Sequence, residues 1–293
     1  MDWVISLLIE SGTNLLKAFQ YLMVPGLFFL CLAYLVKGRA LVVDMLRAIP
    51  EMVLTLKIMS FNVIFSAPFV AVYVTAIHGF LTGRDLFLIP TAFWDGVPMV
   101  LTLFAAVFIG DFFHYWRHRL DHTKVFWPAH AVHHSDTEVT WLTASRWHPI
   151  NLLTMRGVGM VTMLLMGFPV YAILFNAMLR GYYGHFIHAD VPWTYGKFGK
   201  IMVSPAMHRW HHSAEEKAFD KNFGEFFCIF DQAFGTYYLP GPCNGPLGVS
   251  DKMGAGLRGQ IGYAFTPKAY KPLMASLKAR FGKADDQTVI PGE

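Results

Sequence analysis

The sequence is poor in cysteine. Only three of its 293 residues are cysteines: Cys31, Cys228 and Cys243. An iron–sulfur cluster needs four cysteines, or a variant in which histidine replaces some of them, so the chain carries no self-contained cluster. Three scattered cysteines also give no disulfide framework and fit a reduced, cytoplasm-facing setting. If the chain performs redox chemistry, its electrons must therefore come from a partner.

Charge is also scarce, and the apolar residues are concentrated. Charged residues make up 15% of the chain and hydrophobic residues 54%, whereas soluble proteins average about 25% charged residues. Four runs without Asp, Glu, Lys or Arg cover residues 18–36, 58–83, 96–110 and 157–179. A run of about 20 apolar residues spans the hydrocarbon of a bilayer. We predict an all-α membrane bundle of about four or five membrane helices with a cytosolic helical cap, rather than a soluble protein with buried core helices.

The basic residues predict the orientation of these helices. Four of them crowd the loop between the first two runs: Lys37, Arg39, Arg47 and Lys57. The positive-inside rule places residues 37–57 in the cytoplasm, so the third run returns to that side. The fourth run, interrupted at Pro169, is either one span or a hairpin at about residues 151–186. The hairpin is favoured because it returns the chain to the cytoplasmic face.

We see no internal repeat and no linker, so the chain is predicted to be one functional unit. It comprises N-terminal transmembrane helices (1–110), a catalytic region that includes the hairpin (111–240) and a loop-rich tail (241–293). Residues 265–281 favour a short basic amphipathic helix on the membrane surface, and the last ten residues are expected to be disordered. The N-terminus lacks the basic segment of a secretory signal. A net charge of +4 without an aromatic stacking module gives no case for nucleic acid.

Histidines are the functional signal in this sequence. Eight of the thirteen lie in three clusters, HRLDH, HAVHH and HRWHH: His118, His122, His130, His133, His134, His208, His211 and His212. Neutral imidazole is the commonest side-chain metal ligand, and helical residues three or four apart share one face. His114 lies one further turn back, so a His114/His118 pair competes with His118/His122. Eight imidazoles are enough for two metal ions.

An all-nitrogen site suits iron, copper or zinc. Two iron ions with open positions could activate O2 against an unactivated C–H bond, and a lipid could reach them from the bilayer. Hydroxylation and desaturation both remain open. A membrane metal transporter is a distant alternative that would place the histidines along the spans. A zinc hydrolase is another, which would need only three ligands and an open position.

Six segments between about residues 110 and 237 carry a family resemblance: GDFFHYWRHRLDH, WPAHAVHHSD, RWHPIN, HFIHADVPW, SPAMHRWHHS and DKNFGEFFCIFDQAFGTYY. In order and spacing they resemble the fatty acid hydroxylase/sterol desaturase superfamily of membrane di-iron oxygenases. The resemblance implies two iron ions (zinc being possible in purified protein), O2 as co-substrate and a lipid substrate. It also implies an external electron donor, which could be a ferredoxin, a cytochrome or a reduced pterin.

The same resemblance carries the eight clustered histidines over as metal ligands and adds His188. Six further residues are expected around the metals or as extra ligands: His114, His185, His148, Asp111, Asn222 and Asp231. Asp111 is expected to accept an N–H from a ligand histidine, because a carboxylate at a membrane helix end is costly unless paired. We expect a multi-pass protein of a bacterial inner membrane with its active site on the cytoplasmic face.

Overall fold

A computed structural model describes residues 2–281 of the chain, and side chains within residues 10–279. The first half consists of α1 (Asp2–Lys37), α2 (Ala40–Phe61), a π-helical turn (Asn62–Ser66), α3 (Ala67–Thr82), α4 (Met99–Asp121) and α5 (Trp127–His134). The second half consists of α6 (Pro149–Leu165), α7 (Val170–Ile187), α8 (Pro205–His211), α9 (Ile229–Ala233), α10 (Leu257–Tyr263) and α11 (Lys271–Phe281). Short 3-10 turns, including Trp141–Ser145, join several of them. The expected disorder of the last ten residues lies outside the described part.

Three helices are long and apolar enough to cross a membrane: Glu10–Lys37, Ala40–Thr82 and Met99–Asp121. The second is continuous through α2, the π-helical turn and α3, and its 43 residues exceed what one crossing requires. Between residues 2 and 281 the chain forms no strand. The predicted all-α membrane bundle is confirmed.

The prediction of a loop at residues 37–57 was wrong. Only the turn at Gly38 and Arg39 separates α1 from α2, and Gly38 takes a left-handed conformation with φ 56°. The segment contains four Leu, two Ala and two Met, which are strong helix formers. Its charges lie on a helix that reaches the rest of the protein, because Glu51 of α2 pairs with the buried Arg146 at 2.5 Å. The segment expected to be a loop therefore contacts the chain at Arg146.

Helices α6 and α7 run out and back on either side of α4. The turn between them packs on the connection that precedes α4, because the N–H groups of Leu88 and Ile89 both donate to the carbonyl of Leu165. A Cβ at Gly167 (φ 60°) would lie 2.2 Å from the carbonyl oxygen of Ile89, so this position requires glycine. The start of α6 and the end of α7 consequently lie at the same end of the bundle as the end of α4.

The C-terminal region packs behind α5. Ala131 and Val132 of α5 form one apolar cluster with Ile58 of α2 and Tyr263 of α10. Residues 254–259 have the glycine spacing GxGxxG, but they follow a loop instead of a strand and so do not form a dinucleotide-binding unit. Residues 267–281 are helical, as the sequence predicts.

Candidate metal centre

Nine imidazoles converge where α4, α5, α7 and α8 end. In the first group one nitrogen from each ring lies within 4.8 Å of the others: His118, His122, His130, His134 and His211. A second group meets the same criterion: His133, His188, His208 and His212. All nine histidines predicted as metal ligands are thus in one of two adjacent groups. The adjacent histidines of each HH pair separate between the groups, so α5 and α8 each serve both.

Four of these rings have their orientation fixed by a bond on the far nitrogen. The Nδ1 atoms of His118, His188 and His211 lie 2.9, 2.6 and 2.7 Å from the carbonyls of Phe223, Gly184 and Lys221. Nδ1 of His122 lies 3.3 Å from the carboxylate of Asp220. Because only a protonated nitrogen can donate to these oxygens, each Nε2 is left with a bare lone pair. Such outer bonds set the tautomer of metal-binding histidines.

Some of the inward-facing nitrogens have no hydrogen-bond partner, and others face one another. Nε2 of His122 and of His211 are buried and have no hydrogen-bond partner in residues 10–279, and neither nitrogen of His212 has one. Nε2 of His188 faces the Nε2 atoms of His133 and His208 at 3.2 and 2.9 Å. Buried unpaired polar atoms are costly. A cation within each group would satisfy these lone pairs, so the residues fit two metal ions bound by nitrogen.

Burial favours the neutral form of the histidines in and just after α5 and α8. It holds the pKa of His130, His134 and His208 well below the usual value for histidine, and neighbouring histidines add to the effect. The same cause lowers the pKa of His133, His211 and His212. Neutral imidazole is the form that binds metal. The cluster is therefore in its ligating form near neutral pH.

The loop after α8 supplies two of the orienting carbonyls. Asp231 accepts hydrogen bonds from the N–H groups of Phe223 and Gly224 at 2.7 and 2.9 Å and from the Thr236 hydroxyl at 2.7 Å. Asn222, whose φ is 59°, donates through its amide to the carbonyls of Met207 and Tyr238. Both residues act on the backbone that presents Phe223 to His118, and the role expected for them around the metals stays a prediction.

Asp111 does not have the predicted partner. Its fully buried carboxylate accepts hydrogen bonds from the N–H groups of Phe226 and Phe227. It also forms an ion pair with Arg180 at 3.0 Å. The expected bond to a ligand histidine is therefore wrong. The physical reason is that the loop after Phe223 crosses the middle of α4 and brings the N–H groups of Phe226 and Phe227 to this carboxylate.

Arg180 also pairs with Glu225, which lies 3.4 Å from Nδ1 of His114. His114 belongs to neither histidine group, so the His114/His118 alternative is not the arrangement found.

Arg117 lies nearly fully buried and forms an ion pair with Asp121. The charge of Arg117 is thus matched inside the protein.

His148 and His185 also lie outside the two groups. His148 accepts the N–H of Ile150 at the start of α6, and its Nε2 donates to the carbonyl of Ile261. His185 donates from Nδ1 to the carbonyl of Trp141 at 2.9 Å. Both histidines anchor segments around the metal centre.

Sequence reasoning missed a tryptophan beside the second group. The ring of Trp147 stacks on His133 with centroids 4.5 Å apart and planes 3° apart. Its carbonyl accepts a 2.7 Å hydrogen bond from Asn62, the first residue of the π-helical turn. The motif RWHP contains Trp147, but nothing in the spacing of that motif indicates contact with a histidine 14 residues earlier.

Comparison with known proteins agrees with this site. A model of the fatty acid hydroxylase family matches residues 103–236, which contain all nine histidines. An ornithine lipid hydroxylase from Rhizobium tropici is 30% identical over 185 residues, 62% of this chain and 56% of that protein. Human alkylglycerol monooxygenase is 30% identical over 49% of this chain and 32% of its own length. A C-4 methylsterol oxidase from Schizosaccharomyces pombe is 32% identical over 46% of each.

The chain spans about half the length of the first of these relatives, and less of the other two. No solved structure matches it. The N-terminal hundred residues lie outside the family match, although they provide two of the three candidate spans. These spans make the chain an integral membrane protein. Over residues 103–236 it is similar to the fatty acid hydroxylase family.

Proposed function

We propose that this chain is a membrane-bound, O2-dependent di-iron oxygenase that hydroxylates an unactivated C–H bond of a lipid. The observation that carries the proposal is the division of nine imidazoles into two adjacent groups with inward lone pairs. A structural zinc ion needs four ligands, whereas two groups of five and four suit a metal pair. Nitrogen ligands without thiolate suit iron.

When bound, two iron ions would supply O2 binding and the two-electron chemistry that C–H oxidation requires. For hydroxylation the balance is R–H + O2 + 2e⁻ + 2H⁺ → R–OH + H2O. Desaturation consumes the same O2, electrons and protons but yields an alkene and two waters, so it is the alternative outcome at this site. The chain's own residues hold the ligand rings in one tautomer and, through the apolar spans, give a lipid access without crossing water.

The electrons must come from a separate carrier, since the three cysteines cannot hold an iron–sulfur cluster. A ferredoxin, a cytochrome or a reduced pterin would serve. We place the site on the cytoplasmic face of a bacterial inner membrane. Support comes from α2, where Arg47 lies one turn before Glu51; Glu51 pairs with Arg146, which donates to the carbonyl of Val132 beside His133.

Metal content tests the proposal directly. We expect about two irons per chain in protein purified in detergent, and about one after either His211→Ala or His208→Ala, which remove a ring from the first and second group respectively. His78→Ala is the matched control, because His78 lies exposed on α3. One zinc ion per chain with no response to reductant or O2 would defeat the proposal.

The substrate and the reaction type need a second experiment. Lipid extracts of cells with and without the gene are compared by mass spectrometry, with His133→Ala as the inactive control. A product heavier by one oxygen supports hydroxylation, and one lighter by two hydrogens supports desaturation. Identical extracts from all three strains would count against lipid oxidation.

A further inference from the structure

An apolar groove runs along the membrane-facing side between α1 and α7. Val24, Phe28 and Phe29 of α1 form one wall, and Leu179, Tyr182 and Phe186 of α7 belong to the other. Its volume is about 380 Å³, within the range of ligand sites. The lining residues recur every three or four positions on both helices, so the groove follows the helix axes for about 10 Å.

The outer side of the groove faces the hydrocarbon. α1 is one of the candidate membrane spans, and Val24 and Phe28 are 74% and 53% exposed. Exposed apolar side chains within a span contact lipid chains rather than water. The occupant available at this position is therefore the hydrocarbon part of a membrane lipid. A groove that runs along two membrane helices fits an extended chain, because chains in a bilayer run in the same general direction.

The inner end of the groove lies against the 3-10 turn Trp141–Ser145. Phe29 stacks on Trp141 with centroids 5.5 Å apart and lies 6.3 Å from the ring of Phe186. A Cβ at Gly26 would come within 3.3 Å of the Trp141 ring, so glycine lets the indole lie against α1. Trp141 in turn holds His185 through its carbonyl.

The C-terminal end of α7 carries both a groove residue and a member of the second histidine group. Phe186 lines the groove, and His188, two residues later, belongs to the group that also contains His133, His208 and His212. The inner end of the groove therefore lies two residues along the chain from the four-histidine group. Its α1 wall comes from a part of the chain outside the family match, so it is a feature of this protein's own N-terminal helices.

We propose that the groove between α1 and α7 holds the alkyl chain of the lipid substrate and guides it toward the four-histidine group. The inference deepens the proposed function and rests on it. The inner end of the groove is formed by Phe29 and Phe186, with Trp141 packed against Phe29. These three residues act as positioning residues for the alkyl chain. The proposed ligand of the groove is an extended alkyl chain and not a rigid fused ring system.

Filling the groove tests this assignment. Leu179→Trp places a large ring within it, and Met178→Trp places the same ring on the 56% exposed neighbouring position that does not line it. Val24→Trp and Met23→Trp form a second matched pair on α1. We expect each groove variant to lower the yield of oxidised lipid at least tenfold, and each control to leave it unchanged. A groove variant with wild-type yield would overturn the proposal.

Photolabelling measures lipid binding in the same groove and does not depend on oxidation of the lipid. Detergent-purified protein is treated with a phosphatidylcholine that carries a diazirine on one acyl chain, and with a photoactivatable sterol in parallel. The proposal expects the acyl probe to label residues 24–29 and 179–186, and Leu179→Trp but not Met178→Trp to abolish labelling. Preferential labelling by the sterol, or no labelling by either probe, overturns it. If wild-type protein makes no oxidised lipid yet labels as expected, the proposed function fails and alkyl-chain binding by the groove stands.

Discussion

The indole of Trp147 lies flat against the imidazole of His133, with planes 3° apart. No side-chain or backbone group within residues 10–279 bonds to Nδ1 of His133, so this ring lacks the orienting hydrogen bond that four other histidines have. Stacking on the aromatic face of Trp147 orients the His133 ring in place of that hydrogen bond. Asn62, the first residue of the π-helical turn, fixes the Trp147 backbone from within the membrane helix. π-Helical turns are common at functional sites.

Removing this ring should weaken metal binding. An aromatic pair contributes about 0.5–1.5 kcal/mol, so Trp147→Ala should lower metal affinity roughly two- to tenfold, with Trp147→Phe in between. Competitive titration with a chelator measures the change. Trp94→Ala is the control, since Trp94 stacks on Phe168 at the opposite end of the bundle and should affect stability alone. Equal chelator resistance of Trp147→Ala and wild type would contradict the assigned role.

Asp231 should be required for both stability and metal retention. Replacing it by alanine leaves the N–H groups of Phe223 and Gly224 unpaired in a buried loop, and each unpaired group costs about 1–3 kcal/mol. Phe223 also loses its fixed position opposite His118. We expect Asp231→Ala to lower the thermal unfolding midpoint and the metal content together, and Asp231→Asn, which keeps one acceptor, to lower both less. Asp220→Ala is a useful comparison, because that carboxylate is 74% exposed and touches only the His122 side of the site. An unfolding midpoint of Asp231→Ala equal to that of wild type would refute the prediction.

The ion pairs of Arg180 should hold α7 to α4. Arg180 is the partner of both Asp111 and Glu225, so Arg180→Met leaves two carboxylates without their cation. Breaking a buried pair from one side typically costs about 3–5 kcal/mol. We expect Arg180→Met to cause a large loss of folded protein in detergent, measured by size-exclusion chromatography and thermal unfolding.

A double variant separates charge from packing. Arg180→Met combined with Asp111→Asn leaves one carboxylate in place of two, and the asparagine oxygen still accepts the N–H groups of the 226–227 backbone. The double variant should therefore be more stable than Arg180→Met alone. Additive destabilisation by the two changes would show that the pair contributes no coupling.

The sequence predicted the membrane class and the histidine groups well, because both depend on local pattern. Runs without charge predict spans, and spacing of three or four residues puts histidines on one helix face. Prediction from the sequence failed where contacts between distant segments determine the structure. The sequence around Asp111 does not indicate that a loop 115 residues later contacts it. The charged stretch after Lys37 has the composition of a loop, and only the contact between Glu51 and Arg146 shows why it is a helix packed on the protein. The same limit explains why Trp147 and Arg180 were missed.

The metal-free protein should lose stability as the pH falls below about 6.5. Burial lowers the pKa of six histidines in and after α5 and α8 relative to the unfolded chain: His130, His133, His134, His208, His211 and His212. Between the folded and unfolded pKa values the unfolded state binds more protons, so stability is complete above about pH 6.5 and declines toward acid. The slope is about 1.4 kcal/mol per pH unit for each such histidine.

Thermal unfolding of metal-stripped protein between pH 5 and pH 8 measures this slope. His212→Gln removes one titrating ring and should make the slope shallower by about one proton, whereas His78→Gln, at an exposed position, should leave it unchanged. A flat profile in the wild type would mean that the rings are protonated in the folded state or accessible to water. That outcome would remove the physical basis for neutral, inward-facing ligands, because rings that are protonated in the folded state have no free lone pair for a metal ion.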